Sequence, residues 1–71
     1  MNEILTLVAE SGARHATVYE APDKSYYKVD YTRNVANQPF TLYKVFTNKD
    51  MAEKFAEESV FEGTKPTLLT E

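Results

Sequence analysis

His15 is the single histidine of the sequence and its readiest candidate for proton-transfer chemistry. An imidazole beside a carboxylate can move a proton near neutral pH. The stretch Ala21-Pro22-Asp23-Lys24 has the composition of a type I turn, with proline pre-set for the second position and aspartate tolerated at the third. If Glu20 faces Ser25 across that turn, His15 lies opposite Asp30. Such a pair becomes an acid/base dyad only when it serves a nucleophile, and no serine is placed by a recognisable motif to be one. The chain has no cysteine. The pair is therefore expected to be an ordinary surface contact and the protein non-enzymatic. One histidine without cysteine leaves only carboxylates for zinc, so no metal site is expected. Neither Gly12 nor Gly63 belongs to a phosphate-cradling loop, and no cofactor is expected.

Recognition is the other chemistry these residues offer. The same register pairs Val18 with Tyr27 and Ala16 with Val29 on a core face continued by Tyr31. It places Tyr19 opposite Tyr26 and Thr17 opposite Lys28 on the outer face, next to His15. Tyrosines, with an apolar ring and a polar tip, suit a half-wet interface. A small domain gains most from covering such a face by self-association. Tyr19, Tyr26 and Lys28, together with an off-stripe Phe61, are the candidate partner or dimer surface, and a homodimer is the expected assembly. The alternative partner is single-stranded nucleic acid, stacking on a face that uses Arg14, Tyr19, Tyr26, Lys28 and Arg33. The net charge of −3 counts against it, because phosphate binding normally needs a basic excess. That charge is unevenly spread. Residues 14–49 carry six basic side chains against three acidic ones, whereas residues 50–71 carry two against six.

The elements that position these residues can be read from periodicity. Thr47 reads as a helix N-cap, with Asp50 completing a capping box and Phe46 and Met51 forming a hydrophobic staple. At about 100° per residue, Met51, Ala52, Phe55, Ala56, Ser59 and Val60 fill one arc and Asp50, Glu53, Lys54 and Glu57 the opposite one. Gly63 is the expected stop, at C′, with Pro66 just beyond. Phe61 falls on the polar side of this wheel. Either the helix has frayed by then, letting it fold back to the core, or it is offered to a partner. Phe40 to Phe46 reads as a strand with apolar residues on both faces, preceded by a polar loop from Asn34 to Pro39. Ile4 to Val8 also fits a helical stripe with Met1, but its β-branched content favours a strand ending in a turn at Ser11-Gly12. Residues 1–63 are expected to form one domain and residues 64–71 a mobile tail.

The expected fold class is thus α+β, an antiparallel sheet of three or four strands with one C-terminal amphipathic helix packed on one face. With 71 residues, 42% apolar and 27% charged, the chain has the composition of one small globular domain. Its longest near-apolar run, Ile4 to Ala9, is far short of the ~20 residues of a membrane helix, and no basic segment precedes it. No membrane association is expected, and an intracellular location is. The Tyr-rich strand from Tyr26, the strand ending in Phe46-Thr47, and the helix Asn48-Lys49-Asp50-Met51-Ala52-Glu53-Lys54-Phe55-Ala56-Glu57-Glu58 together cover about half the chain. This stretch resembles short uncharacterised phage and bacterial proteins of strand-strand-helix build. The resemblance implies the fold, a phage or bacterial origin and hence the cytoplasm of a bacterium or infected host, and it carries no functional residue over.

Overall fold

The computed structural model describes residues 1–61, 63 and 67–70. Its elements are β1 (Asn2–Val8), β2 (His15–Glu20), β3 (Tyr27–Val35), β4 (Gln38–Phe46), α1 (Lys49–Val60) and β5 (Thr67–Thr70). The first four strands form an antiparallel meander, and the sheet order is β4-β3-β2-β1-β5. The α+β class with one helix on one face is the expected one. The fifth strand is an addition, lying in the segment 64–71 that was expected to be a mobile tail. Within that segment Thr67–Thr70 pairs antiparallel with Thr6–Val8, while residues 64–66 and 71 lie outside the described residues.

The core is one layer thick. Leu7, Ala16, Val18, Tyr27 and Val29 point from the sheet toward Ala52, Ala56 and Val60 of α1, and all are buried. Alanine at 52 and 56 leaves the helix backbone free to approach the strands, while three valines fill the space between the layers. Ser59 is buried too, its hydroxyl donating to the Ala56 carbonyl at 2.8 Å, so that it leaves no unmet polar group. Phe55 closes the β4 side of this layer, edge-on to Tyr31 at 5.0 Å and tilted against Phe46 at 5.3 Å.

The N-terminal segment is a strand, and a bulge explains its ambiguous sequence. Glu3 pairs with Tyr19 and Leu5 with Val18, leaving Ile4 as the extra residue. The bulge resets the alternation, so Leu5 and Leu7 both face the helix although Ile4 and Leu5 are adjacent apolar residues.

The β2–β3 register differs from the expected one by two residues. Val18 pairs with Val29, Ala16 with Tyr31 and Glu20 with Tyr27. A slip of two preserves the faces, so Ala16, Val18, Tyr27, Val29 and Tyr31 still share one side. The cause is the turn. Lys24 N–H donates to the Ala21 carbonyl at 2.9 Å as expected of a type I turn, but Lys24 then takes a left-handed φ of 61° and Ala21 N–H donates to the Tyr26 carbonyl. The loop is four residues, Pro22 to Ser25, rather than two, because a two-residue type I turn would splay the strands. Asp23 fixes it by accepting from the Ser25 hydroxyl and backbone N–H, and these two bonds, hydroxyl first, hold its carboxyl below the ordinary value. The β1–β2 connection repeats the design. Gly12 N–H donates to the Ala9 carbonyl, Ala9 N–H donates to the Arg14 carbonyl, and Gly12 takes φ 77° where Lys24 takes 61°.

The polar loop expected from Asn34 to Pro39 is instead a two-residue turn. β3 runs to Val35 and β4 starts at Gln38, with Ala36 at φ 53° and Asn37 at 66°, the double positive φ of a type I′ turn. Pro39 sits in the strand opposite Asn34. It is tolerated because β4 is an edge strand.

The helix cap is Asn48, not Thr47. Its Oδ1 accepts from Met51 N–H at 3.2 Å and its carbonyl accepts from Ala52 N–H. Asparagine is at least as good a cap as threonine, and starting one residue later moves Asp50 to the second helical position and leaves no capping box. The staple is absent for the same reason. Met51 is exposed, and Phe46 packs on Phe55 instead. The helix ends at Val60, Phe61 is the extended C-cap, and Gly63 takes φ 86° at C″ rather than at the expected C′.

Two outcomes follow. Asn48→Ala is expected to lower the unfolding free energy by about 1 kcal/mol and Thr47→Ala by much less, measured by urea denaturation. A Cβ at Gly12 meets nothing within 4 Å, so Gly12→Ala is expected to cost only the backbone penalty of a left-handed L-residue, about 1 kcal/mol, while Lys24→Gly removes that penalty and raises the urea midpoint.

Candidate interaction surface

One helix cannot cover both faces of a sheet, and α1 packs chiefly on β2 and β3. The far face carries Thr6 and Val8 from β1, His15, Thr17 and Tyr19 from β2, Lys28, Asp30 and Thr32 from β3, and Thr41, Tyr43 and Val45 from β4. It is a mixed surface in which polar groups are paired locally. Lys28 reaches Asp30 at 3.5 Å and lies 5.1 Å from the centre of the Tyr43 ring. Thr6 and Thr17, in directly opposed positions, are 3.4 Å apart through their hydroxyls.

The expected His15/Asp30 pairing does not form, because the two-residue change of register puts Asp30 opposite Thr17. His15 meets Thr32 instead, whose hydroxyl lies 3.2 and 3.3 Å from its two ring nitrogens. Asp30 is paired with Lys28. The geometry that motivated a dyad is therefore absent, and among the described residues no group of three or more His, Cys, Asp or Glu is arranged to hold a metal ion.

Of the residues expected to form a partner surface, Tyr19 and Lys28 are opposite one another on the open face and both are half-buried. Tyr26 is not opposite Tyr19. It faces Ala21 at the end of the hairpin, where it is exposed. Phe61 is exposed on the other layer, just past the end of α1. Of the residues weighed for nucleic acid, Arg33 shares the helix-side face with Tyr31, whose ring it overlies at 5.6 Å, and Arg14 immediately precedes β2. Arg33 and the Tyr19/Lys28 pair are thus on opposite faces.

An uncovered apolar region that sequence reasoning did not single out lies along β4. β4 is exposed along its length except at Phe46, and its large side chains Phe40 (48%), Leu42 (45%), Tyr43 (67%) and Val45 (52%) make up half of the exposed large hydrophobic residues among those described. Phe40 and Leu42 lie on the helix side of the sheet, Tyr43 and Val45 on the open side. The signal was present in the sequence as apolar residues at both parities, which describes a strand lying beyond the helix at the sheet edge. Lys44 marks where that cover ends, 5.2 Å from the Phe55 ring and 5.7 Å from that of Phe46.

Tyr27 shows how the covered face ends near the other side. Its ring is in the core and its hydroxyl donates to a Glu20 carboxylate oxygen at 3.2 Å. Burial first, then this hydrogen bond and the negative charges of Glu20 and Glu53, push the phenol above its ordinary value of 10.0. A raised phenol contributes stability that is complete below the unfolded value and lost as pH rises through the folded one. Tyr27→Phe is therefore expected to weaken the fold at neutral pH and to flatten the loss of stability above about pH 10, read from urea midpoints across the alkaline range.

No protein-family model, curated protein or solved structure matches this chain. Among the described residues no helix is long and apolar enough to cross a membrane.

Proposed function

We propose that this chain is a small non-enzymatic protein–protein interaction module that self-associates, most simply as a homodimer. The supporting observation is that four neighbouring apolar side chains of β4 stand uncovered on both faces of one edge strand. Monomeric domains leave single hydrophobic residues exposed, but a contiguous run of them marks an interaction site. Tyr19 and Lys28 extend that surface across the open face, with Tyr26 and Phe61 as separate outlying contacts. The intracellular setting and the phage or bacterial origin implied by the resemblance belong to the same proposal.

Nucleic-acid binding is supported less well. The cations of β3 and β4 overlie the chain's own rings, Lys28 on Tyr43, Arg33 on Tyr31 and Lys44 on Phe46 and Phe55, instead of lining one groove. The net charge is −3.

Sedimentation equilibrium at micromolar concentration is expected to show a species of twice the 8.1 kDa monomer mass. A single 8.1 kDa species throughout overturns the proposal.

A further inference from the structure

We propose that two copies join edge to edge through β4, antiparallel about a two-fold axis at Tyr43, making one continuous sheet with both helices on the same side. This rests on self-association and assigns it a surface and a register.

The backbone geometry comes from the β3–β4 hairpin. In a two-residue hairpin the closing pair, Val35 and Gln38, exchanges both hydrogen bonds, and alternate pairs thereafter do the same. Phe40, Leu42, Lys44 and Phe46 therefore spend their backbone groups on Arg33, Tyr31, Val29 and Tyr27. Thr41, Tyr43 and Val45 turn theirs to the free edge, as does Pro39, which has no N–H to give. An edge of this kind is a template for another strand.

The same residues select the register. With Tyr43 opposite Tyr43 of the second copy, Thr41 faces Val45 twice, and each of the three residues donates one backbone hydrogen bond and accepts one. Phe40 then lies opposite Phe46, and Leu42 lies beside the stem of Lys44. Centring the axis on Leu42 sets Pro39 against Val45 and loses a donor at each end. Centring it on Lys44 opposes two like charges. The pairing is isologous and closes on itself, whereas joining β4 to the opposite edge of the next copy would propagate without limit.

The contact area sets the expected strength. Aromatic side chains such as Phe40 and Tyr43 carry roughly 150–250 Å² each, Leu42 and Val45 carry less, and about half of each of the four is available. Together with the strand backbone this is on the order of 500 Å² per copy, below the roughly 800 Å² of a standard interface. A micromolar rather than nanomolar dimer is expected.

Three measurements decide the matter. Amide hydrogen exchange should show Thr41, Tyr43 and Val45 protected in the dimer and exchanging freely on dilution. Thr41→Pro, which removes only an outward N–H, should give a folded monomer by circular dichroism and sedimentation. The chain has no cysteine, so the double variant Leu42→Cys/Lys44→Cys, whose thiols oppose one another across non-hydrogen-bonded pairs, should oxidise to a covalent dimer while Leu42→Cys alone, displaced from its own copy by two residues, should not. If Thr41→Pro fails to fold, the cysteine pair and the exchange data still decide. A dimer that survives with these amides unprotected and the double cysteine variant uncrosslinked overturns the β4 pairing while leaving self-association through the Tyr19/Lys28 face intact. A monomer at every concentration overturns both.

Discussion

The contact between Ala52, Ala56 and Val60 of the helix and Ala16, Val18 and Val29 of the sheet is what the rest of the molecule depends on. Each fully buried valine contributes about 2 kcal/mol, and there are three. A core this small leaves little margin, so every element has to serve it. The helix is placed over the two strands that supply most of the small apolar residues, and the strands outside its shadow keep apolar residues that no part of the described chain covers. The exposed edge and the open face are consequences of that economy of cover. They follow from one helix meeting five strands.

Much of this was legible in the sequence, and most of the failures trace to a few turn residues. Parity along a strand identified the core face of β2 and β3 correctly, since Ala16, Val18, Tyr27, Val29 and Tyr31 alternate with polar residues. Register was wrong because it depends on backbone angles at a few turn residues whose types do not betray them. Lys24 and Ala36 both adopt positive φ without being glycine or asparagine, so a four-residue loop passed for a two-residue turn and a two-residue turn for a polar loop. The helix cap was misplaced by one because Thr47 and Asn48 are adjacent and both competent. The candidate surface suffered from the same shift. A register error of two residues left Tyr19 on its face but brought Lys28 opposite it, and moved Tyr26 to the hairpin end. The importance of β4 was hidden because a strand with apolar residues on both sides reads equally as a buried centre or a bare edge.

The cations of the middle segment illustrate how local packing overrides composition. As a linear sequence, residues 14–49 are basic and interleaved with tyrosine, a pattern that suggests a field for phosphate. In the fold, Lys28 leans over Tyr43 and reaches Asp30, Arg33 leans over Tyr31, and Lys44 leans over Phe46 and Phe55. Their aliphatic stems cover aromatic surface at the margin of the helix contact and, for Lys28, on the open face. Charge density in the sequence has become partial cover for the margins of a thin core.

The pairing of Thr67–Thr70 with Thr6–Val8 has a consequence for the order of assembly. The three hairpins of the meander close between neighbours in sequence, through short turns, and can form early and independently. The outer side of β1 is different, because its partner strand follows only after the meander and the whole helix. Closing that contact first would close a loop through most of the chain, which costs more entropy than any of the short turns. Pairing of β1 with β5 is accordingly expected late, after α1 has docked. Until it happens, β1 itself is the bare edge opposite β4.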